Sequence, residues 1–224
     1  MIHTTLPRRA LLGALLAVAC AVPAFDAVAQ APAAAGQTAS SPSQLVEANS
    51  RRVLQTLTSR RDAFRADPAA LQAFIKGEFD QIFDKVYAAR LVLGRNGRSA
   101  SDAEVAAFAD ALAGNLMRRY GNSLLEVEGG TDVAVTGEQP LRDGAVVRVT
   151  SQITRRAGSP IPVDYLMRRS DGSWKVFDVI VEGVSFVQTF RSQFDAALRT
   201  KSLDQLTQEL RAGALQADAD AAVE

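Results

Sequence analysis

The sequence predicts an α+β fold: helices first, then a curved four-stranded antiparallel meander, then helices that pack back on the sheet. Three observations carry this. Apolar residues recur at helical spacing between Val46 and Tyr120, and at every second residue between Val133 and Val181. Two Asp-Gly pairs, Asp143-Gly144 and Asp171-Gly172, separate alternating runs, and Asp-Gly favours the type I′ hairpin turn because both central residues take positive φ.

The chain opens with an export signal. Arg8 and Arg9 precede the apolar run Ala10 to Ala19, and small residues close on Ala27-Val28-Ala29, which predicts cleavage before Gln30. An apolar run of about ten residues is too short for a bilayer that needs about twenty. No later stretch comes closer, so the mature protein is expected to be soluble and periplasmic. Pro7-Arg8-Arg9-Ala10-Leu11-Leu12 also matches a twin-arginine signal loosely. Ala17-Val18-Ala19-Cys20 could be read as a lipoprotein site, but the Leu such a site carries three residues before the Cys is missing and Ala29 offers the better cleavage point.

Residues 30–41, rich in Ala, Pro, Gly and Ser without periodicity, read as a flexible linker. Order begins at Ser41-Pro42-Ser43-Gln44, a capping box with Pro at the first helical position. The helix that follows carries Val46, Val53, Leu54 and Leu57 on one side. Asp67-Pro68 opens a second helix with Leu71, Phe74, Ile75 and Phe79. A third segment, with Ile82, Phe83, Val86, Tyr87 and Leu91, stops at Gly94. Ser101-Asp102-Ala103-Glu104 is a further capping box, followed by Val105, Phe108, Leu112, Leu116 and Tyr120.

Four strands are then predicted around Val133 and Val135; Val147, Val149 and Ile153; Ile161, Val163, Tyr165 and Met167; and Phe177, Val179 and Val181. Both faces of the last are apolar apart from Asp178, so it should be covered on both sides. Helical spacing returns with Phe186, Val187, Phe190, Phe194 and Leu198, and a final helix starts at Ser202. A single domain over residues 42–216 is expected, with a fraying acidic tail from Ala217 to Glu224.

Composition excludes much chemistry. The only His (His3) and only Cys (Cys20) lie in the leader. The mature chain therefore has no disulfide, no thiol nucleophile, no Ser-His-Asp triad and no ordinary zinc site. The whole chain has 25 basic and 25 acidic residues, and loss of Arg8, Arg9 and Asp26 leaves 23 and 24. That balance argues against nucleic acid as a partner.

Several stretches of the second half form a recognisable series. Val163-Asp164-Tyr165-Leu166-Met167 is followed by Trp174-Lys175-Val176-Phe177-Asp178, then Glu182-Gly183-Val184-Ser185, then Arg191-Ser192-Gln193-Phe194. With the upstream Val92-Leu93-Gly94-Arg95, the series resembles the MlaC (toluene-tolerance) family of periplasmic phospholipid-binding proteins. The resemblance spans roughly residues 42–210. One departure is Asn96-Gly97, where that family often has a Trp.

The resemblance implies a fold NTF2-like in character and a carrier, expected to be monomeric, that holds a phospholipid by its acyl chains. Its partners would be an inner-membrane ABC transporter complex with an MCE-domain ring and an outer-membrane lipoprotein complex. Neither cofactor nor metal is implied. The alternative cargo is a hopanoid or another apolar lipid.

Burying one methylene is worth roughly 0.8 kcal/mol, so about thirty of them left bare in water would cost on the order of 20 kcal/mol. A carrier therefore needs a deep apolar cavity. The expected lining is Val147, Val149, Val163, Tyr165, Met167, Val179 and Val181 from the sheet, Phe108 and Leu112 from the long helix, and Val184, Phe190 and Phe194 beyond. Composition by itself would equally allow these side chains to form an ordinary core. Asp178 on a buried strand needs a partner, and Arg191 is the expected one, in a structural ion pair. The competing class is an enzyme using Asp164, Tyr165 and Asp178 for proton transfer, but Asp164 and Tyr165 are adjacent on a strand and face opposite ways.

Overall fold

The computed structural model describes residues 40–127, 129–156 and 158–218. The leader, its cleavage site and most of the linker lie outside the described residues, as do residues 219–224 of the tail.

Six helices come first: α1 (Pro42–Ser59), α2 (Arg61–Ala66), α3 (Pro68–Ile82), α4 (Lys85–Leu93), α5 (Arg95–Ser99) and α6 (Asp102–Tyr120), closed by a 3₁₀ turn at Gly121–Glu126. Strands β1 (Asp132–Leu141), β2 (Val146–Thr154), β3 (Ile161–Ser170), β4 (Ser173–Val181) and β5 (Val184–Ser185) follow, then α7 (Phe186–Ala197) and α8 (Leu203–Ala212). The capping boxes of Ser41 with Gln44 and Ser101 with Glu104 both form, and Asp67 accepts from the amides of Ala69 and Ala70.

The third helical segment starts later than its apolar spacing suggests. Phe83 leaves the helix with extended backbone and makes a parallel bridge to Val176 of β4. Asp84 then caps α4, accepting from the Tyr87 amide at 3.1 Å, and forms an ion pair with Arg168 of β3. Arg168 lies 4.4 Å over the Tyr87 ring, so the start of α4 is tied to the sheet by charge, hydrogen bond and ring.

The sheet is an antiparallel meander in the order β1-β2-β3-β4-β5. It has five strands where four were expected. Asp171 and Gly172 both have positive φ, as a type I′ turn requires. The Asp143-Gly144 connection is wider, with Arg142 also at positive φ. Glu182 and Gly183, at φ 52° and 88°, make a further tight turn that pairs Val181 with Val184 and creates β5. A bulge between Leu166 and Met167 pairs those residues with Asp178 and Val176, leaving Phe177 as the extra residue.

Three apolar clusters hold the fold. One joins α4, α6, α7 and α8 through Val92, Val105, Phe108, Phe194, Leu206 and Leu210. A second joins Val46 of α1 to Val147, Val149, Met167 and Val176 of the sheet. The third gathers Leu57, Phe64, Leu71 and Leu125. The helical and sheet clusters share no buried residue.

The tail is held further than expected. Ala217 is fully buried, and its amide donates to the Asn115 side chain at 3.0 Å. Asp218 donates to the side-chain oxygen of Gln193 at 3.1 Å. A small residue reads as fraying in the sequence because its partner amide lies about a hundred positions away.

Candidate functional site

An apolar groove of about 130 Å³ lies where the helical cluster meets the sheet. Phe79 and Phe83 form one wall, their rings stacked with centroids 4.0 Å apart. Ala88, Ala89 and Val92 of α4 face Ala109, Leu112, Ala113 and Leu116 of α6. Phe177, Asp178 and Val179 of β4 supply the sheet side, and Phe186, Val187 and Phe190 of α7 complete the lining. Small residues one helical turn apart on α6, Ala109 and Ala113, leave the volume that larger side chains would fill.

Two lining residues carry charge. Lys85 is drawn to Asp110 at 2.9 Å and Asp80 at 3.0 Å, and its pKa is raised chiefly by the Asp110 hydrogen bond. Asp178, only 6% exposed, accepts from the Ser185 hydroxyl at 2.6 Å and the Val187 amide at 3.1 Å. Burial pushes its carboxyl above the ordinary range, against the lowering effect of those hydrogen bonds. Its donors are the hydroxyl and amide of the first turn of α7, where partial positive charge favours a carboxylate.

The expected ion pair of Asp178 with Arg191 does not form. Asp178 is satisfied by α7's own first turn, and Arg191 points to the other side of the helix, its guanidinium lying against Gly94. The positive-φ turn at Glu182-Gly183 and the two-residue strand β5 make the path between β4 and α7 short, so Ser185 reaches Asp178 before any longer side chain is needed.

The expected lining residues divide into groups. Leu112, Val179 and Phe190 line the groove. Phe108 and Phe194 stand behind it in the helical cluster, edge to face with centroids 5.6 Å apart. Val147, Val149 and Met167 belong to the sheet cluster beneath α1, and Val163 is buried. Tyr165 packs there too; burial pushes its phenol up, partly offset by hydrogen bonds with Ser50 and Ser151. Val181 and Val184 flank the Glu182-Gly183 turn, half-buried. Alternation alone cannot say which sheet face α1 covers, and α1 covers the part of the chosen face that carries Val147, Val149 and Met167, while Val179 reaches the groove.

The lining residues that apolar counting overlooked are mainly alanines and the Phe79–Phe83 pair. The signal present in the sequence is the small-residue spacing on α4 and α6. Asp164 lies 3.9 Å from Arg148, on the face opposite Tyr165. Among the described residues no cluster of His, Cys, Asp or Glu has the geometry to hold a metal, and no helix is long and apolar enough to cross a membrane.

Comparison with known proteins gives a consistent picture. The toluene tolerance protein ttg2D of Pseudomonas putida is 25% identical over 167 residues, covering 74% of this chain and 77% of that protein. The intermembrane phospholipid transport system binding protein MlaC of Haemophilus influenzae is 21% identical over 179 residues, covering 79% and 83%. A phospholipid-binding protein from Ralstonia solanacearum, solved in complex with a phospholipid, superposes with a TM-score of 0.68 at 22% identity, covering 76% of this chain and 95% of that one. The MlaC protein family model matches residues 47–212, from the second turn of α1 to the end of α8. The match takes in every element of the fold, and the chain belongs to the MlaC (toluene-tolerance) family.

Proposed function

We propose that this protein is a phospholipid carrier that takes acyl chains into the groove between β4 and helices α4, α6 and α7. The observation that carries the reading is the lining itself: alanine, valine, leucine and phenylalanine from four helices and a strand, converging where two clusters meet. The relatives named for phospholipid binding and transport support it. The signal sequence expected at residues 1–29 makes the periplasm its place of work, carrying lipid between inner- and outer-membrane complexes.

At about 130 Å³ the groove is well below the roughly 300–1,000 Å³ of pockets that enclose a ligand. Taking up acyl chains therefore requires its walls to part. Widening would move Phe177 and Val179 of β4 away from Ala89, Val92, Ala109 and Leu112 of the helical cluster.

Mass spectrometry of organic extracts from the exported protein, purified without added lipid, tests the reading. A carrier gives phospholipid in stoichiometric amount; folded protein with no lipid overturns the proposal. Recovery of hopanoid instead of phospholipid would keep the carrier role and change the cargo.

A further inference from the structure

A second cavity, a cleft of about 520 Å³, lies on the outer side of the α4–α7 pair and is lined by Arg90, Leu91, Gly94, Gly97, Arg98 and Arg191. Two of the stretches in the sequence series meet here, Val92-Leu93-Gly94-Arg95 through Gly94 and Arg191-Ser192-Gln193-Phe194 through Arg191. An ideal Cβ on Gly94 would stand 3.1 Å from Nε of Arg191 and 3.4 Å from its Cζ, and Gly94 has φ 58°. The missing side chain is what lets the Arg191 guanidinium lie along the cleft wall.

The charges of the cleft do not cancel. Arg90 is tied down by the Gly97 carbonyl and by an ion pair with Asp102. Arg98 and Arg191 have no hydrogen bond or ion pair to any carboxylate among the described residues. Other cations meet carboxylates, as Arg52 does Glu78 and Lys85 does Asp80 and Asp110, or carbonyl oxygens, as Arg118 does Leu210 and Arg211 does Ala107; Arg98 and Arg191 instead share one cleft. Two uncompensated guanidiniums facing one concave space is an arrangement suited to an oxyanion, since the planar fork of Arg matches phosphate oxygens in pairs.

We propose that this cleft binds a dianionic phosphate group, with Arg98 and Arg191 as its ligands and Arg90 as the anchored wall. Charge sets the class: Arg90 with Asp102 is neutral, which leaves two positive charges to be met. Arg95, on the same short helix, is not part of the wall. A phosphate occupies only part of the cleft, and the remaining space accommodates the group that bears it. The same chemistry is available from a phosphomonoester lipid at a membrane surface and from free phosphate.

The test is a titration of the ¹⁵N-labelled exported protein with inorganic phosphate, following the Gly94 and Gly97 amides and the Arg98 and Arg191 side-chain N–H signals. Saturable shifts are expected, strengthening as pH rises through the second ionisation of phosphate. The Arg98→Gln, Arg191→Gln double variant should weaken binding at least about tenfold, with unchanged circular dichroism. Each single variant, at an exposed position, provides a second reading. Shifts reproduced by chloride at equal ionic strength, or undiminished in the double variant, overturn the proposal. Sedimentation with phosphatidylcholine vesicles, with and without phosphatidic acid, separates the sources. Binding only to vesicles with phosphatidic acid, competed by phosphate, assigns a lipid; phosphate binding without vesicle binding assigns the free ion. The result is independent of lipid in the apolar groove, which extraction reads separately.

Discussion

The Ser185 hydroxyl donates a 2.6 Å hydrogen bond to Asp178 while its oxygen accepts from the Gln188 amide at 3.1 Å. One side chain thus caps α7 and satisfies a buried carboxylate on the wall of the groove. Ser185→Ala removes both contacts. A lost cap costs about 1 kcal/mol and an unsatisfied buried partner about 1–3 kcal/mol, so a total of about 2–4 kcal/mol is expected. Urea unfolding reads it as a lower midpoint with the slope unchanged.

The raised pKa of Asp178, caused first by burial, gives stability a pH dependence of definite sign. Between the ordinary carboxyl pKa and the higher folded value, the folded protein holds more protons than the unfolded chain. Stability from this group is therefore present at low pH and lost as pH rises through that window. Asp178→Asn cannot titrate. The stability of the wild type minus that of Asp178→Asn should fall as pH is taken from below the ordinary carboxyl pKa to neutrality; parallel curves would show that Asp178 titrates normally. The subtraction cancels Asp80 and Glu104, whose pKa values are lowered and act in the opposite direction.

Asn115, 3% exposed, donates to the carbonyls of Leu210 and Leu215 and accepts from the Ala217 amide. Asn115→Ala strands these groups at the end of α8, an expected loss of about 2–3 kcal/mol. Hydrogen exchange should show the Ala217 and Asp218 amides losing protection before the amides of α6. Equal loss across α6, α8 and the tail would mean that Asn115 supports the whole helical cluster and not the tail alone.

What the sequence made legible follows from interaction range. Ser41, Asp67, Ser101 and Ser202 mark helix starts because a cap and its amide are three residues apart or fewer. Asp171-Gly172 marks a hairpin for the same reason, and Glu182-Gly183 offered the same signal with one methylene more. The groove was only partly legible. Leu112, Val179 and Phe190 were within reach of counting apolar positions, but Ala88, Ala109 and Ala113 matter by being small, a role that apolar counting ranks last. Charge complementarity alone pairs Asp178 with Arg191, but the backbone path delivers Ser185 and the Val187 amide to Asp178 first.

Two glycines in helices should respond to alanine with opposite signs. A Cβ on Gly77 of α3 meets nothing within 4 Å, whereas on Gly97 of α5 it would stand 2.6 Å from the Arg90 carbonyl oxygen and 2.9 Å from Leu93. Gly77→Ala removes backbone freedom from the unfolded chain and should stabilise by about 0.5–1 kcal/mol. Gly97→Ala forces α5 away from α4 and should destabilise by about 1–3 kcal/mol. Thermal unfolding of both variants gives the comparison, and equal shifts would contradict the packing described at Gly97.

Filling the groove should separate lipid binding from folding. Ala113 faces the groove from α6 with Ala109 one turn before it, so Ala113→Phe places a benzyl group in space that is open in this structure. The groove already has room, so the overpacking penalty of about 1–3 kcal/mol seen in closed cores should be largely avoided and the melting temperature little changed. Lipid recovered per protein should fall by about tenfold, equivalent to roughly 1.4 kcal/mol of lost affinity. Gly114→Ala is the control: it adds a methyl to the next position of the same helix, where the nearest heavy atom would be the Arg118 guanidinium at 3.5 Å, and it should leave lipid content unaltered. Full lipid occupancy in a folded Ala113→Phe protein would place the acyl chains elsewhere, and would redirect attention to the face of the sheet beneath α1.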